Sequence, residues 1–244
     1  MWDNPRLLNL AANALLALLA AALALAALHA LARSPLFPLR EVTVRGELAQ
    51  TTRAQIERAI AGRVAGNFFA ADLVALRQSL EALPWVRRVH LQRAWPDRLE
   101  ATLEEHVALA RWGDEALLNT HGEPFGGRLP GPEAAKLPLF AGPAGSHAEM
   151  TRRYARFAAI LAPIDETPER LVLSARHAWQ LRTAQGLALE LGRDGAEAVE
   201  ARLERFVAAW PGTVGRLARR AREPLQVDLR YPNGFALRVP EWRS

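Results

Sequence analysis

The chain has 244 residues, with 31 Lys and Arg against 26 Asp and Glu, a formal net charge of +5, and no cysteine. The missing cysteines exclude disulfides, thiol nucleophiles and Cys-ligated metals. The basic excess does not make a nucleic-acid surface, which would need the charges gathered on one face. Lys136 is the single lysine, and the arginines alternate closely with acids, as in Arg202-Leu203-Glu204-Arg205, which reads as a solvated helix face. The densest basic cluster, Arg216, Arg219, Arg220 and Arg222, reads as a helix end complementing the helix dipole.

From Leu7 to Ala32 runs an uncharged stretch built almost wholly of Leu and Ala, interrupted by Asn13 and His29. A membrane-spanning helix needs ~20 apolar residues, and this stretch meets that length. Two readings stay open from the residues. Arg6 and Ala30-Leu31-Ala32 fit a cleaved signal, whereas the apolar core exceeds the ~7–15 residues of a signal and fits an uncleaved anchor. Orientation is also open, because Arg6 competes with Arg33 and Arg40. The short N-terminal side favours an inside amino terminus with the large remainder exported.

Ser34-Pro35-Leu36-Phe37-Pro38 ends the apolar helix, since each proline removes a donor and disfavours helix before it. Val42 and Val44 alternate with polar neighbours up to Gly46, which predicts a strand. Thr52 with Gln55 forms a capping box for a helix carrying Ile56 and Ile60. Asp72 caps a second helix, with Leu73, Leu76, Leu80 and Leu83 at helical spacing and Pro84 as its stop. Val86, Val89 and Leu91 predict a strand, Trp95-Pro96-Asp97 a turn, and Leu99, Ala101 and Leu103 a half-buried antiparallel strand. This strand-helix-helix-strand-strand unit of roughly 70 residues suffices for a small core, a three-stranded sheet covered on one face by two helices.

The remainder has a different texture. Residues 107–118 predict two short strands around Gly113-Asp114. The Gly- and Pro-rich stretch 119–147 reads as a long surface connection. A helix follows from Glu149 to Leu161, then strands around Leu171-Val172-Leu173, Trp179 to Leu181 and Leu187 to Leu191. Val199, Leu203, Phe206 and Trp210 mark one face of a long helix closed by Pro211-Gly212. Val227-Leu229-Tyr231 and Phe235-Leu237-Val239 flank Asn233-Gly234, the strongest short hairpin signal. A final hairpin leaves the edge of its last strand either covered by another strand or open to a partner chain.

No active site emerges. The six histidines (29, 90, 106, 121, 147 and 177) have no metal spacing such as H-E-x-x-H, and there is no nucleophile elbow, P-loop or dinucleotide fingerprint. Glu104 and Glu105 beside His106 could be drawn as an acid–base group. Strand neighbours point to opposite faces, so the two carboxylates should not converge. Gly122, Gly126 and Gly127 suggest a turn rather than a phosphate cradle.

Several runs, taken in order, resemble the FtsQ/DivIB family of bacterial division proteins. They are Leu83-Pro84-Trp85-Val86, Arg93-Ala94-Trp95-Pro96-Asp97, Ala110-Arg111-Trp112, Trp179-Gln180-Leu181, Leu191-Gly192-Arg193, Arg202-Leu203-Glu204-Arg205-Phe206-Val207, and Val227-Asp228-Leu229-Arg230-Tyr231 with Asn233-Gly234. The resemblance implies an α+β chain with a cytoplasmic start (1–6), a single N-terminal transmembrane helix (7–32), a POTRA domain of β-α-α-β-β order (37–107), a mainly antiparallel β domain with flanking helices (108–240) and a tail (241–244). It implies a non-enzymatic divisome scaffold at the septum, held in the inner membrane by an uncleaved anchor with its bulk in the periplasm, and with no cofactor. Its implied partners are FtsB and FtsL, together with other divisome proteins. The family's docking surface falls here on Tyr231, Asn233, Gly234, Phe235, Ala236 and Leu237, with Arg176 pairing an acid of FtsB. Phe235 stands where the family often has a small residue, and Val239 where it often has Trp. The alternative is a POTRA-bearing assembly or secretion factor for outer-membrane proteins, but no series of ~10-residue alternating strands suited to a membrane barrel is present.

Overall fold

The computed structural model describes residues 5–32, 34, 38–64, 67–113, 116–212, 214–215 and 225–238. The Arg216–Arg222 cluster, Val239 and Trp242 lie outside these residues. The chain divides into two compact units, Met1–Glu105 and His106–Ser244.

The first unit begins with helix α1, Pro5–Ala32. Within it, Asn9–Leu31 is long and apolar enough to cross a membrane. At 1.5 Å per residue its 23 residues extend about 34 Å, which matches a hydrocarbon core of ~30 Å. Its leucines are exposed, as Leu10, Leu18 and Leu25 illustrate. Beyond it come β1 (Glu41–Arg45), α2 (Arg53–Ile60), α3 (Leu73–Glu81), β2 (Val86–Ala94) and β3 (Arg98–Glu105).

The helix starts follow the sequence signals. Thr52 and Gln55 cap α2 reciprocally, and the Asp72 carboxylate accepts from the amides of Val74 and Ala75 at the start of α3. The sheet has the order β1-β3-β2, with β3 parallel to β1 and antiparallel to β2. Ile56, Leu76 and Leu80 from the helices and Val86, Val89, Leu99, Ala101 and Leu103 from the sheet are buried. The two acids at the end of β3 diverge, as strand geometry requires. Glu104 pairs with Arg87 at 2.6 Å. Glu105 turns the other way and accepts from the amides of Ala49 (2.8 Å), Gln50 (3.1 Å) and Thr51 (2.6 Å), which fixes the loop entering α2.

Among the described residues the second unit carries a nine-stranded sheet. In chain order its elements are β4 (Ala108–Trp112), β5 (Ala116–Asn119), β6 (Pro124–Phe125), α4 (Gly131–Lys136), β7 (Leu139–Ala141), α5 (His147–Leu161), β8 (Pro168–Leu173), β9 (Trp179–Thr183), β10 (Ala188–Gly192), α6 (Val199–Ala209), β11 (Gln226–Asp228) and β12 (Ala236–Arg238). The strand order is β12-β11-β10-β9-β8-β7-β4-β5-β6. The sheet is mixed. The pairs β4–β7, β7–β8 and β10–β11 are parallel, the last two with α5 and α6 in their crossovers, because parallel neighbours cannot be joined by a hairpin.

One cross-strand row, Trp112, Phe140, Leu171, Leu181, Leu189, Val227 and Leu237, faces the helices. It forms one core with Met150, Phe157 and Leu161 of α5 and Val199, Leu203 and Phe206 of α6. The opposite face is polar. One row there runs Val172, Gln180, Glu190, Asp228, Ala236, and the next runs Arg170, Arg182, Ala188, Gln226, Arg238.

Three expectations need correction. Residues 119–147 are not a long surface connection. They contain β6, α4 and β7, and β7 lies inside the sheet between β4 and β8 with Phe140 fully buried. Prolines and glycines masked this strand, because three residues are too few to show a period. The Arg202–Arg205 face is not simply solvated. Arg202 donates to the carbonyls of Leu191 (2.8 Å), Arg193 (3.0 Å) and Glu197 (3.0 Å), and its side chain is 12% exposed. The last hairpin is also looser than its Asn-Gly signal suggests, as described next.

Candidate protein-docking edge

Strand β12 pairs antiparallel with β11 through Gln226↔Arg238, Val227↔Leu237 and Asp228↔Ala236. It closes one end of the sheet and, among the described residues, has no strand on its other side. Leu237 and Phe235 are half-buried against the core, while Ala236 and Arg238 are exposed. This edge therefore combines a fixed inner face with backbone groups available at its rim.

The connection between the strands spans residues 229–235. A two-residue type I′ turn needs positive φ at both central residues, and neither Asn233 nor Gly234 has it. Local side-chain bonds explain the wider loop. Asp228 accepts from the Arg230 amide at 3.0 Å, an Asx turn that leads the chain out of the ladder. Its carboxylate also receives the Arg230 guanidinium, at 2.6 Å from Nη2, and this hydrogen bond holds the Asp228 carboxyl below its ordinary range. Leu229 stays buried and donates to the Glu190 carbonyl at 2.9 Å. Pro232 and Asn233 form the outer turn.

Helix α6 anchors this loop. Arg205 pairs with Glu197 and donates to the Tyr231 carbonyl at 3.2 Å. Phe235 packs edge-to-face on Phe206, with ring centroids 5.4 Å apart. The Tyr231 side chain is left 54% exposed. At the end of β10 the pairing with β9 slips between Glu190 and Gly192, and Gly192 adopts φ +77°. A Cβ there would lie 2.9 Å from Arg230 Cγ, so this glycine lets the loop close against β10.

Arg176 lies in the exposed turn between β8 and β9, beside His177 at φ 58°. Strand directions place that turn at the same end of the sheet as residues 229–235. Three strand spacings separate β9 from β12, about 14 Å. The topology thus brings Tyr231, Asn233, Gly234, Phe235, Ala236 and Leu237 together on one loop and strand, and sets Arg176 apart on the same rim. Arg153 braces the ground between them. It pairs with Asp194 and Glu200 and stacks its guanidinium 5.2 Å from the Trp179 ring centre. Burial opposes the Asp194 charge, but hydrogen bonds from Arg153 and the Val199 amide outweigh it and hold that carboxyl low.

Sequence reasoning missed Arg205, Asp228 and Arg230 as the residues that shape the loop. An Asp two positions before Arg, directly after an apolar alternation, was the available signal. Among the described residues no group of three or more His, Asp or Glu could hold a metal.

Residues 37–106 match the family model of the FtsQ-type POTRA domain, and residues 110–230 match that of the C-terminal part of the cell division protein FtsQ/DivIB. The chain belongs to the FtsQ/DivIB family. The FtsQ of Burkholderia pseudomallei is 42% identical over 244 residues, covering 100% of this chain and 96% of that protein. That of Bordetella pertussis is 39% identical over 256 residues, covering 97% and 92%. That of Neisseria gonorrhoeae is 31% identical over 239 residues, covering 98% and 95%. The FtsQ-type POTRA match falls on the β-α-α-β-β unit, and the FtsQ/DivIB match includes β11 and stops short of β12.

Proposed function

We propose that this cell-division protein is a non-enzymatic scaffold of the divisome, which links early and late division proteins by binding the FtsB–FtsL pair. In this reading α1 is an uncleaved inner-membrane anchor with a cytoplasmic amino terminus. The POTRA domain (37–107) and the β domain (108–240) stand in the periplasm at the septum. The observation that carries the docking reading is the position of β12 at the end of the sheet, with its far side unpaired among the described residues. An extended FtsB segment adds there as a further strand, joined by main-chain bonds and by contacts of the neighbouring side chains. Exposed Tyr231 and Asn233 lie at the start of that edge, and Arg176 offers a cation on the same rim to an acid of FtsB.

Photoreactive residues placed one at a time through 225–238 in dividing cells test this. Crosslinks to FtsB should concentrate at Tyr231, Asn233 and 235–238 and be absent at buried Val227. Crosslinks confined to other surfaces would overturn the docking site.

A further inference from the structure

The end of the first unit that adjoins the exit of α1 carries aromatic and aliphatic side chains with large exposed area, and Phe69 there also packs edge-to-face on buried Phe68 at 5.2 Å. Trp95 is 76% exposed, Val74 56% and Phe69 49%. Short contacts tie this end to the exit of α1. The Ser34 amide donates to the Leu31 carbonyl at the helix end, and the Ser34 carbonyl accepts from Asn67 Nδ2. Asn67 is buried, bridges to Pro38, and its Oδ1 holds the Phe69 amide at 2.7 Å. Arg93 then clamps the same turn to β2, donating to the carbonyls of Phe68 (3.0 Å) and Ala71 (2.9 Å). Two residues beyond Arg93 stands Trp95, in the turn from β2 to β3. Asp97 of that turn accepts the Arg40 amide at 3.0 Å. Two chain-distant loops are thereby fixed beside the end of the apolar helix.

We infer that this end of the POTRA unit rests on the bilayer surface, with Trp95 and Phe69 in the headgroup–acyl boundary. The inference rests on reading α1 as a membrane-spanning helix. Tryptophan favours that boundary, because its ring is apolar and its N–H seeks polar partners. Exposed Arg98 lies three residues after Trp95, and a cation near a membrane surface is attracted to anionic headgroups. The nearby acids are already engaged. Asp97 lies 3.9 Å from Arg40, and Asp72 accepts from Val74 and Ala75. The chain is thus held by its helix and by a second, interfacial contact that limits how far the POTRA unit can tilt.

The absence of cysteine makes the test direct. Single-cysteine variants W95C, F69C, R53C and L18C of the full chain are labelled with an environment-sensitive fluorophore and reconstituted in phosphatidylcholine–phosphatidylglycerol vesicles. Spin-labelled lipids act as quenchers, at the headgroup or in mid-chain. Residue 53 opens α2, beside the loop bound by Glu105 at the opposite end of β3. The nine residues of β2 separate that end from the Trp95 turn by about 26 Å. Labels at 95 and 69 should lose most of their emission to the headgroup quencher, while the label at 53 keeps its own. The label at 18 should be quenched from mid-chain, which reports insertion of α1 separately. Quenching at 18, with 95 and 69 no more affected than 53, would overturn the inference while leaving the anchor intact. No quenching at 18 would remove the anchor on which the inference rests. Trp95 is exposed, so its substitution empties no core site, and circular dichroism checks that F69C, which removes an edge-to-face contact with Phe68, keeps the fold.

Discussion

Proline placed in turn at Ala236, Leu237 and Arg238 separates a strand that receives a partner from one that only closes its own sheet. In an antiparallel pair, successive backbone N–H groups point alternately toward the neighbour and away from it. Residues 236 and 238 therefore share one direction, and 237 has the other. One class loses a donor to β11 when proline removes its N–H, and the other loses a donor that points to the open side. An inward loss costs about 1 kcal/mol of domain stability, the usual net worth of one backbone bond. It should lower the melting temperature by a few degrees. An outward loss should leave the folded domain nearly unchanged, because that N–H faces no strand among the described residues. In the complex the same change removes one strand bond and sets the pyrrolidine ring where a partner carbonyl would approach. A loss of about 1.4 kcal/mol or more, tenfold in Kd, is expected. The assay measures thermal unfolding and FtsB–FtsL affinity for all three variants. Binding should be lost with a period of two along the strand, out of phase with the loss of stability. Wild-type affinity in the class that spares stability would refute strand addition at this edge.

The Glu105 carboxylate is opposed by burial but held below its ordinary value of 4.5 by hydrogen bonds from Thr51, Ala49 and Gln50. A carboxyl with a depressed folded pKa stabilises above its unfolded pKa, and that stability is lost as pH falls through the folded value. Glu105→Gln should therefore cost the first unit about 1 kcal/mol at pH 7, allowing for solvent screening, with the gap to wild type shrinking below about pH 4 in thermal melts. Gly122 has φ +80°, and a Cβ there would fall 2.7 Å from Ala148 Cα, so Gly122→Ala should destabilise the second unit by 1–3 kcal/mol. Denaturant unfolding measures that loss, and an unchanged midpoint would contradict the close approach of this turn to α5.

The first unit was legible because each of its elements carries its own local signal. The Thr52–Gln55 box, the Asp72 cap and the period-two pattern of β3 need no distant residue to be read. In the second unit the signals are non-local. β7 has three residues and takes its place from β4 and β8 on either side, which no window of sequence contains. The Asn-Gly signal placed the last hairpin correctly but not the width of its loop, for a related reason. The register of β11 and β12 is set by Val227 and Leu237 facing one core, and by the Asp228–Arg230 turn that widens the loop. The Arg202–Arg205 run looked solvated because charge alternation does not show that a guanidinium can reach back to the carbonyls at a bulge. The candidate docking residues were reached through family resemblance. Composition and periodicity alone gave only a last strand, with both the open and the covered edge still possible.

The two edges of the sheet are treated differently, and magnitudes indicate why. At one end β6 has two residues, and one of them is Pro124, which cannot donate to another chain. At the other end β12 presents three described residues without proline, and of these only Arg238 is charged. Three residues can add only a few backbone bonds. At about 1 kcal/mol each, they give an association in the millimolar range or weaker. That weakness protects the edge from pairing indiscriminately with other strands. It also means that the strand alone cannot hold a partner, so a useful affinity must come from side-chain contacts beyond the ladder. In the proposed docking, exposed Tyr231 at the near end of the loop and the exposed Arg176 cation further along the rim would supply such contacts. In the proposed docking, selectivity rests on the rim residues, while the strand sets the direction of approach and adds a small share of the affinity.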